Sequence, residues 1–397
     1  MNRPTRFALF LFATVGIVIA CDPKDDILGP LSPTVSDGLD SIAYNPQAYQ
    51  FPPINGLPTM QIPASNPVTV QGVKLGRYLF YEKILSIDSS ISCGSCHRQD
   101  KAFTDGVPKS IGVDGTIGIR NSMSLINIGY SWRPNNAHNF MWDGKFRDLE
   151  DQVLAPVENP LEMKNNWEEV ERRLRNHEHY PALFRKAFGI NSKAEITKEL
   201  AAKAMSQFMR TLNSADSKYD SVEWRAFNYF SEEQQRGYEL FLGDVNGAAV
   251  TKDAECAHCH SFSRNFATFA RNNYSNNGLD SAQSFSDFID KGLGGVTGVP
   301  TDNGRFKEVT LRNIALTAPY MHDGRFATLD EVLDHYISGG HPSPNVANEL
   351  ASAPTLRTLS ASEKSDIIAF LNTLTDTSYF TKEEWSDPFL LPDPWAE

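Results

Sequence analysis

An all-α fold of two similar halves is what this 397-residue sequence predicts, and three observations carry that expectation. The pattern C-x-x-C-H occurs twice, as Cys93-Gly94-Ser95-Cys96-His97 and as Cys256-Ala257-His258-Cys259-His260. A stretch with apolar residues at helical spacing precedes each copy, and a matching series of turn motifs follows each. Strand signals are few: short ladders are expected only near residues 303–309.

Taken in order, the chain opens with Arg3 and Arg6 ahead of an apolar run at 7–20. That run is too short for a comfortable membrane span and suits the core of a signal peptide. It ends Val18-Ile19-Ala20-Cys21, which resembles a bacterial lipobox. Cys21 is then the lipidated first residue of an exported protein held at a membrane in the periplasm or cell envelope. The plainer alternative is an ordinary signal peptide cleaved nearby, with Cys21 incidental. Residues 1–20 are therefore read as leader. Residues 21–67, rich in Pro, Ser, Asn and Asp, are read as a flexible tether.

The first half spans 68–225. It begins with a helix over 73–85, where Leu75, Tyr78, Leu79 and Ile84 fall near helical spacing. Further helices are expected at 167–175, 181–188 and 196–212, with Pro181 suited to a first turn. The second half, 226–375, starts with a helix at 231–242, where Ser231 caps and Glu232 and Glu233 suit the first turn. It closes with a core-packing helix at 361–374 begun by Ser360. The halves echo one another: Arg120-Asn121 with Arg312-Asn313, Trp142-Asp143-Gly144 with His322-Asp323-Gly324, and Leu149-Glu150-Asp151 with Leu329-Asp330-Glu331. The tail, 376–397, contains Pro and Trp and is expected to lie along the surface.

C-x-x-C-H is the attachment signature of c-type haem: two thiols add to the vinyl groups and the adjacent His ligates the iron. The motifs use four of the five cysteines. A four-cysteine zinc site would leave both histidines unexplained, and paired disulfides would call for a thioredoxin-like βαβ pattern that is absent. The sequence thus implies two covalently bound haems, held by Cys93, Cys96 and His97 and by Cys256, Cys259 and His260. The formal net charge is −12, and about −14 once the leader's two arginines are removed. An acidic body of this kind argues against nucleic acid and favours basic or dipolar partners.

Beyond the haem motifs the chain carries Leu75-Gly76-Arg77-Tyr78-Leu79-Phe80, Ala102-Phe103-Thr104-Asp105-Gly106, Phe140-Met141-Trp142-Asp143-Gly144 and Asn159-Pro160-Leu161-Glu162-Met163. The second half adds the run from Thr310 through Pro319-Tyr320-Met321-His322-Asp323-Gly324. From about 75 to 375 the chain resembles the bacterial di-haem cytochrome c peroxidases and MauG. The resemblance implies two cytochrome-c-like haem domains, a peroxidatic one first and an electron-transfer one second. It implies Glu162 as the acid–base residue of the first pocket, Gln152 as hydrogen-bond donor there, and Pro156 as a lining residue. Trp142 is implied as a bridge between the haems. It further implies one Ca2+ held by Asn121 with the carbonyls of Thr317 and Pro319. Without the family, Glu162 reads as a solvated carboxylate at a helix start and Trp142 as a buried turn residue.

Two positions depart from the peroxidase pattern. The stretch that often carries a removable distal His reads Ser110-Ile111-Gly112-Val113, and no His lies between His97 and His138. Val113 cannot ligate iron, so the first haem is expected to be open, with His138 as the one challenger. At the second haem the position of the usual Met falls on Tyr336, the residue type MauG uses; Met321, His335 and His341 are other candidates, with Met321 expected in the core. A phenolate lowers the haem potential relative to a thioether. The leading expectation is a peroxidase reducing H2O2 with electrons from a small cytochrome c or another exported donor. The alternatives are a MauG-like oxidase acting on a partner protein, and a non-enzymatic di-haem electron carrier. The family also offers a homodimer.

Overall fold

The computed structural model describes residues 37–54, 56–223, 229–243, 252–263 and 267–395. The leader and Cys21 lie outside the described residues. In the first half the helices are α1 (Val70–Tyr81), α2 (Cys93–Cys96), α3 (Leu149–Gln152), α4 (Ala155–Glu158), α5 (Trp167–Asn176), α6 (Tyr180–Phe188) and α7 (Lys198–Met209). In the second they are α8 (Lys218–Glu223), α9 (Glu232–Leu242), α10 (Cys256–Cys259), α11 (Gly294–Thr297), α12 (Leu329–Ser338), α13 (Asn348–Ala351) and α14 (Ala361–Asn372). Two-residue strands, β1 (Tyr274–Ser275) and β2 (Phe306–Lys307), pair antiparallel with Tyr274 opposite Lys307. The chain is mainly helical, as expected.

Local chemistry sets the helix ends. The Ser231 hydroxyl accepts from the Gln234 N–H at the start of α9, and Ser360 accepts from Glu363 at the start of α14. Asn166 caps α5, whose first turn holds Glu168 and Glu169 and whose last turn holds Arg173 and Arg175, matching the helix dipole. Gly189, at φ 74°, ends α6 in the left-handed region.

The long helices pair across each half, α1 with α7 and α9 with α14. Each pair meets at a glycine. A Cβ on Gly76 would collide with the Ala204 carbonyl, and one on Gly237 with that of Asp366. Two apolar cores result. The first gathers Leu75, Leu79 and Phe80 with Met205, Phe208, Phe103 and Trp167. The second gathers Phe241, Phe269, Leu333, Ile367, Phe370 and Leu374. Both belong to one compact unit, Asp37–Glu397.

Both ends of the described chain pack more tightly than their composition suggests. Residues 37–54 and 56–67, expected within the tether, lie on the body: Leu39 enters the first core, and Val70 donates to the Gln47 carbonyl. The tail runs along the surface of the first half but anchors two aromatic rings beneath it. Tyr379 and Trp385 are 0% and 3% exposed, and both sit in the first core although they follow the second half in sequence. Tyr81 Oη donates to the Trp385 carbonyl at 2.6 Å, Gln99 Nε2 to that of Tyr379 at 2.6 Å, and Arg77 Nε to that of Ser386 at 2.7 Å.

The repeat is present but in a different register from the Arg-Asn match. Asn313 is matched by Asn127, not Asn121. Both are left-handed, at φ 61° and φ 60°, and both start a short 3-10 turn. The Asn127 N–H donates to the Leu212 carbonyl just past α7, and that of Asn313 to Leu374 just past α14. The aromatic turns do match: Phe140 pairs with Phe146 and Tyr320 with Phe326, and Met141 and Met321 share φ of 72° and 75°.

Candidate functional site

Each C-x-x-C-H motif forms one helical turn, α2 or α10, at the edge of a cavity. The first cavity, of about 70 Å³, is lined by Cys93, Cys96 and His97 together with Gln152, Pro156 and Glu162. The second, of about 290 Å³, is lined by Cys256, Cys259 and His260 together with Trp142, Met321 and Tyr336. None of the four motif cysteines is in a disulfide. Burial pushes Cys93, Cys256 and Cys259 up to about 12 and Cys96 up to about 11, so they stand as neutral thiols. With the pairs lining separate cavities, a shared four-thiolate zinc site does not form.

Both histidines are prepared in the same way. His97 Nδ1 lies 2.8 Å from the Phe103 carbonyl and 3.3 Å from Ser122 Oγ. His260 Nδ1 lies 3.0 Å from the Val309 carbonyl and 3.3 Å from that of Phe269. Burial lowers the pKa of both rings, which keeps them neutral. With Nδ1 hydrogen-bonded to carbonyl oxygen, Nε2 is the nitrogen left to ligate a metal. Phe103 and Phe269 hold φ of 57° and 51°, an unfavourable region for a bulky residue. In each half this strained turn aims a carbonyl at the ring. These two phenylalanines were missed as functional positions: their signal lies in backbone geometry, which side-chain identity does not encode. A neutral imidazole and two neutral thiols on an apolar cavity fit a covalently held haem at each motif.

In the first cavity Glu162 accepts a 2.6 Å hydrogen bond from Asn159 Nδ2. Burial raises its pKa above 4.5, against the opposing effect of that hydrogen bond. Gln152 Nε2 lies 3.6 Å from Met141 Sδ. The loop after the first motif lines the cavity through Ser110, Ile111 and Gly112. Val113 itself is buried, its N–H donating to the Glu162 carbonyl at 3.0 Å. His138 points elsewhere, with Nδ1 2.9 Å from the Gly144 carbonyl. Among the described residues no second histidine lines this cavity.

In the second cavity Tyr336 Oη and Met321 Sδ lie 3.4 Å and 3.3 Å from Asn277 Nδ2. Met321 therefore lines the cavity and does not pack in the core as expected. Burial pushes the Tyr336 phenol up to about 12. His335 and His341 are not lining residues; His335 Nε2 is 3.0 Å from the Asn277 carbonyl. Trp142 donates from Nε1 to the Asn121 carbonyl at 2.9 Å, and the next residue, Ser122, donates to the Cys96 carbonyl at 2.8 Å. One backbone segment thus links the indole on the second cavity to the motif on the first. Asn121, Thr317 and Pro319 also line the second cavity. Asn121 Nδ2 donates to the Val107 carbonyl, leaving Oδ1 as its acceptor end. The only group of three metal-ligating His, Cys, Asp or Glu residues among those described is Asp253, Glu255 and His258, beside the second motif. No helix among the described residues is long and apolar enough to cross a membrane.

Comparison with known proteins agrees with this geometry. Residues 70–226 match the family described as di-haem cytochrome c peroxidase. The methylamine utilization protein MauG of Methylorubrum extorquens is 31% identical over 312 residues, which cover 79% of this chain and 80% of that protein. The cytochrome c551 peroxidase of Nitrosomonas europaea is 31% identical over 322 residues, covering 80% of this chain and 84% of that one. The crystal structure of a MauG-like protein associated with microbial copper homeostasis superposes with a TM-score of 0.71 at 34% identity, covering 86% of this chain and all of the other.

Proposed function

The chain belongs to the di-haem cytochrome c peroxidase family, and from that premise we propose that it reduces H2O2 to water at the His97 site, with electrons from a small cytochrome c or a similar exported donor. A c-type haem at each motif supplies, when bound, an iron to receive peroxide or to store an electron. His97 and His260 ligate through Nε2. The observation that carries the reading is Glu162: a partly buried carboxylate with a raised pKa on the same cavity as His97. Glu162 would take the proton from one peroxide oxygen and return it to the other, so that one oxygen can leave as water, while two electrons from the donor and two protons from solvent convert the other oxygen to a second water. Gln152 would donate a hydrogen bond to peroxide in this cavity. Trp142, tied to Asn121, relays electrons between the two sites. Asn121 Oδ1 with the carbonyls of Thr317 and Pro319 offers hard oxygen donors for Ca2+. The export and lipid attachment read at Cys21 put the protein in the periplasm or cell envelope.

One observation favours a second reading, a MauG-like oxidase that uses peroxide to oxidise a partner protein. Tyr336, in the role of distal ligand, would give the second haem a hard anionic donor and a potential poorly suited to simple electron storage. The absence of a second histidine from the lining of the first cavity serves either reading.

Steady-state turnover with H2O2 and a reduced cytochrome c, with and without prior half-reduction, tests the proposal. Turnover is expected without half-reduction. Two low-spin ferric haems by electron paramagnetic resonance, together with no reaction with peroxide, would overturn both enzymatic readings and leave an electron carrier.

A further inference from the structure

The second cavity holds two candidate ligands of opposite character and one amide that touches both. Tyr336 Oη and Met321 Sδ lie 3.4 Å and 3.3 Å from the same nitrogen, Asn277 Nδ2. A carboxamide nitrogen carries two hydrogens, so it can donate to both atoms at once. We propose that Asn277 is a positioning residue that decides which of the two side chains completes the coordination at the His260 haem, with Tyr336 as the resident ligand and Met321 held in reserve. The inference rests on the reading of Tyr336 as distal ligand and adds the group that selects it.

Asn277 is not a loose loop residue. Its carbonyl accepts from His335 Nε2 at 3.0 Å, so α12, which carries Tyr336, is tied to the segment that carries the amide. On one side, Asn276 Nδ2 donates to Ser343 Oγ and Asn345 Oδ1, both at 2.8 Å, and the Asn276 carbonyl accepts from the Ala347 N–H at 2.9 Å. On the other, the Gly278 carbonyl accepts from the His341 N–H at 2.6 Å. The amide is thus fixed from both flanks before it meets either ligand.

The first half has a geometric parallel. Met141, at the same place in the repeated turn and with the same left-handed φ, has its Sδ 3.6 Å from the carboxamide of Gln152. In both halves, then, a carboxamide donates to the sulfur of the turn methionine. Sulfur and oxygen each keep a second lone pair for the metal when one accepts a hydrogen bond, so the difference lies in charge: the amide N–H stabilises an anionic phenolate oxygen more than a neutral, weakly accepting thioether. The same amide therefore favours the hard ligand over the soft one, and the choice between them sets the haem potential.

The test uses the ferric holoprotein carrying both haems, read by resonance Raman for phenolate modes, by electron paramagnetic resonance, and by the near-infrared band of thioether-bound ferric haem. The wild type should show phenolate ligation. Asn277→Ala should lose the single phenolate species and gain the thioether band, and Asn277→Asp, isosteric but with acceptors in place of the donor, should do the same in a pocket of unchanged shape. Tyr336→Phe should convert the site to thioether ligation, and Tyr336→Phe combined with Met321→Leu should abolish both signatures. If Tyr336→Phe leaves the low-spin signal untouched, the Tyr336 reading falls. If Tyr336→Phe removes the phenolate modes while both Asn277 variants keep them single and unshifted, Tyr336 stands and the role of Asn277 is overturned.

Discussion

Glu162 and Asn159 define a small acid–base unit whose balance can be measured. Burial raises the carboxylate pKa above 4.5, and the Asn159 hydrogen bond opposes that rise by stabilising the ionised form. In the proposed role Glu162 accepts a proton from peroxide only when ionised, so kcat/KM should climb with pH through an acidic limb above 4.5. Asn159→Ala removes the stabilising bond and should move that limb to still higher pH. Glu162→Gln should lower the rate about 10²–10⁴-fold and erase the limb, as seen in a pH–rate profile with H2O2; an unchanged limb would take Glu162 out of the reaction. Residue identity made the motif cysteines and the two histidines visible in sequence, whereas Glu162 came only from the family resemblance. Asn277 escaped because a lone amide in a loop has no spacing rule. Met321 was misplaced because a methionine beside a turn reads as core until its left-handed backbone is seen to aim the sulfur at the cavity.

At the scale of elements, the helix pairs depend on two glycines that sequence alone would mark as weaknesses. In an exposed helix, Gly→Ala is worth up to about 1 kcal/mol in favour of the alanine. Here the added methyl would meet a backbone carbonyl of the partner helix, which cannot swing aside. Steric cost outweighs propensity, and Gly76→Ala and Gly237→Ala should each destabilise by about 1–3 kcal/mol in denaturant unfolding. A gain in stability from either would mean that the helices part without penalty. Helix positions were legible because their periodicity and caps are local: Ser231, Ser360 and Pro181 sit where such residues are expected. The register of the repeat was not. Arg-Asn recurs as letters at 120–121 and 312–313, but the equivalence that matters is the left-handed backbone of Asn127 and Asn313, each bonded just past the long helix of its half. A match of letters could not reveal it.

For the whole molecule, the telling feature is the tail that crosses back to the first half. Pro and Trp in 376–397 suggested a surface run, because composition carries no information about contacts made 300 residues away. Trp385→Ala should cost about 3–5 kcal/mol. The loss should fall on the first half: hydrogen exchange should quicken in α1 and α7 while α9 and α14 keep their protection. Equal loss in both halves would mean that the strap braces the whole protein and not one core. The strap also sets an order of events. The bond from Tyr81 to the Trp385 carbonyl spans 304 residues. A chain delivered from its N-terminus at ordinary synthesis rates needs on the order of 15–60 s to cover that distance. Throughout that interval the first core lacks the buried rings of Tyr379 and Trp385. The half that emerges first is completed last, when the far end of the chain arrives.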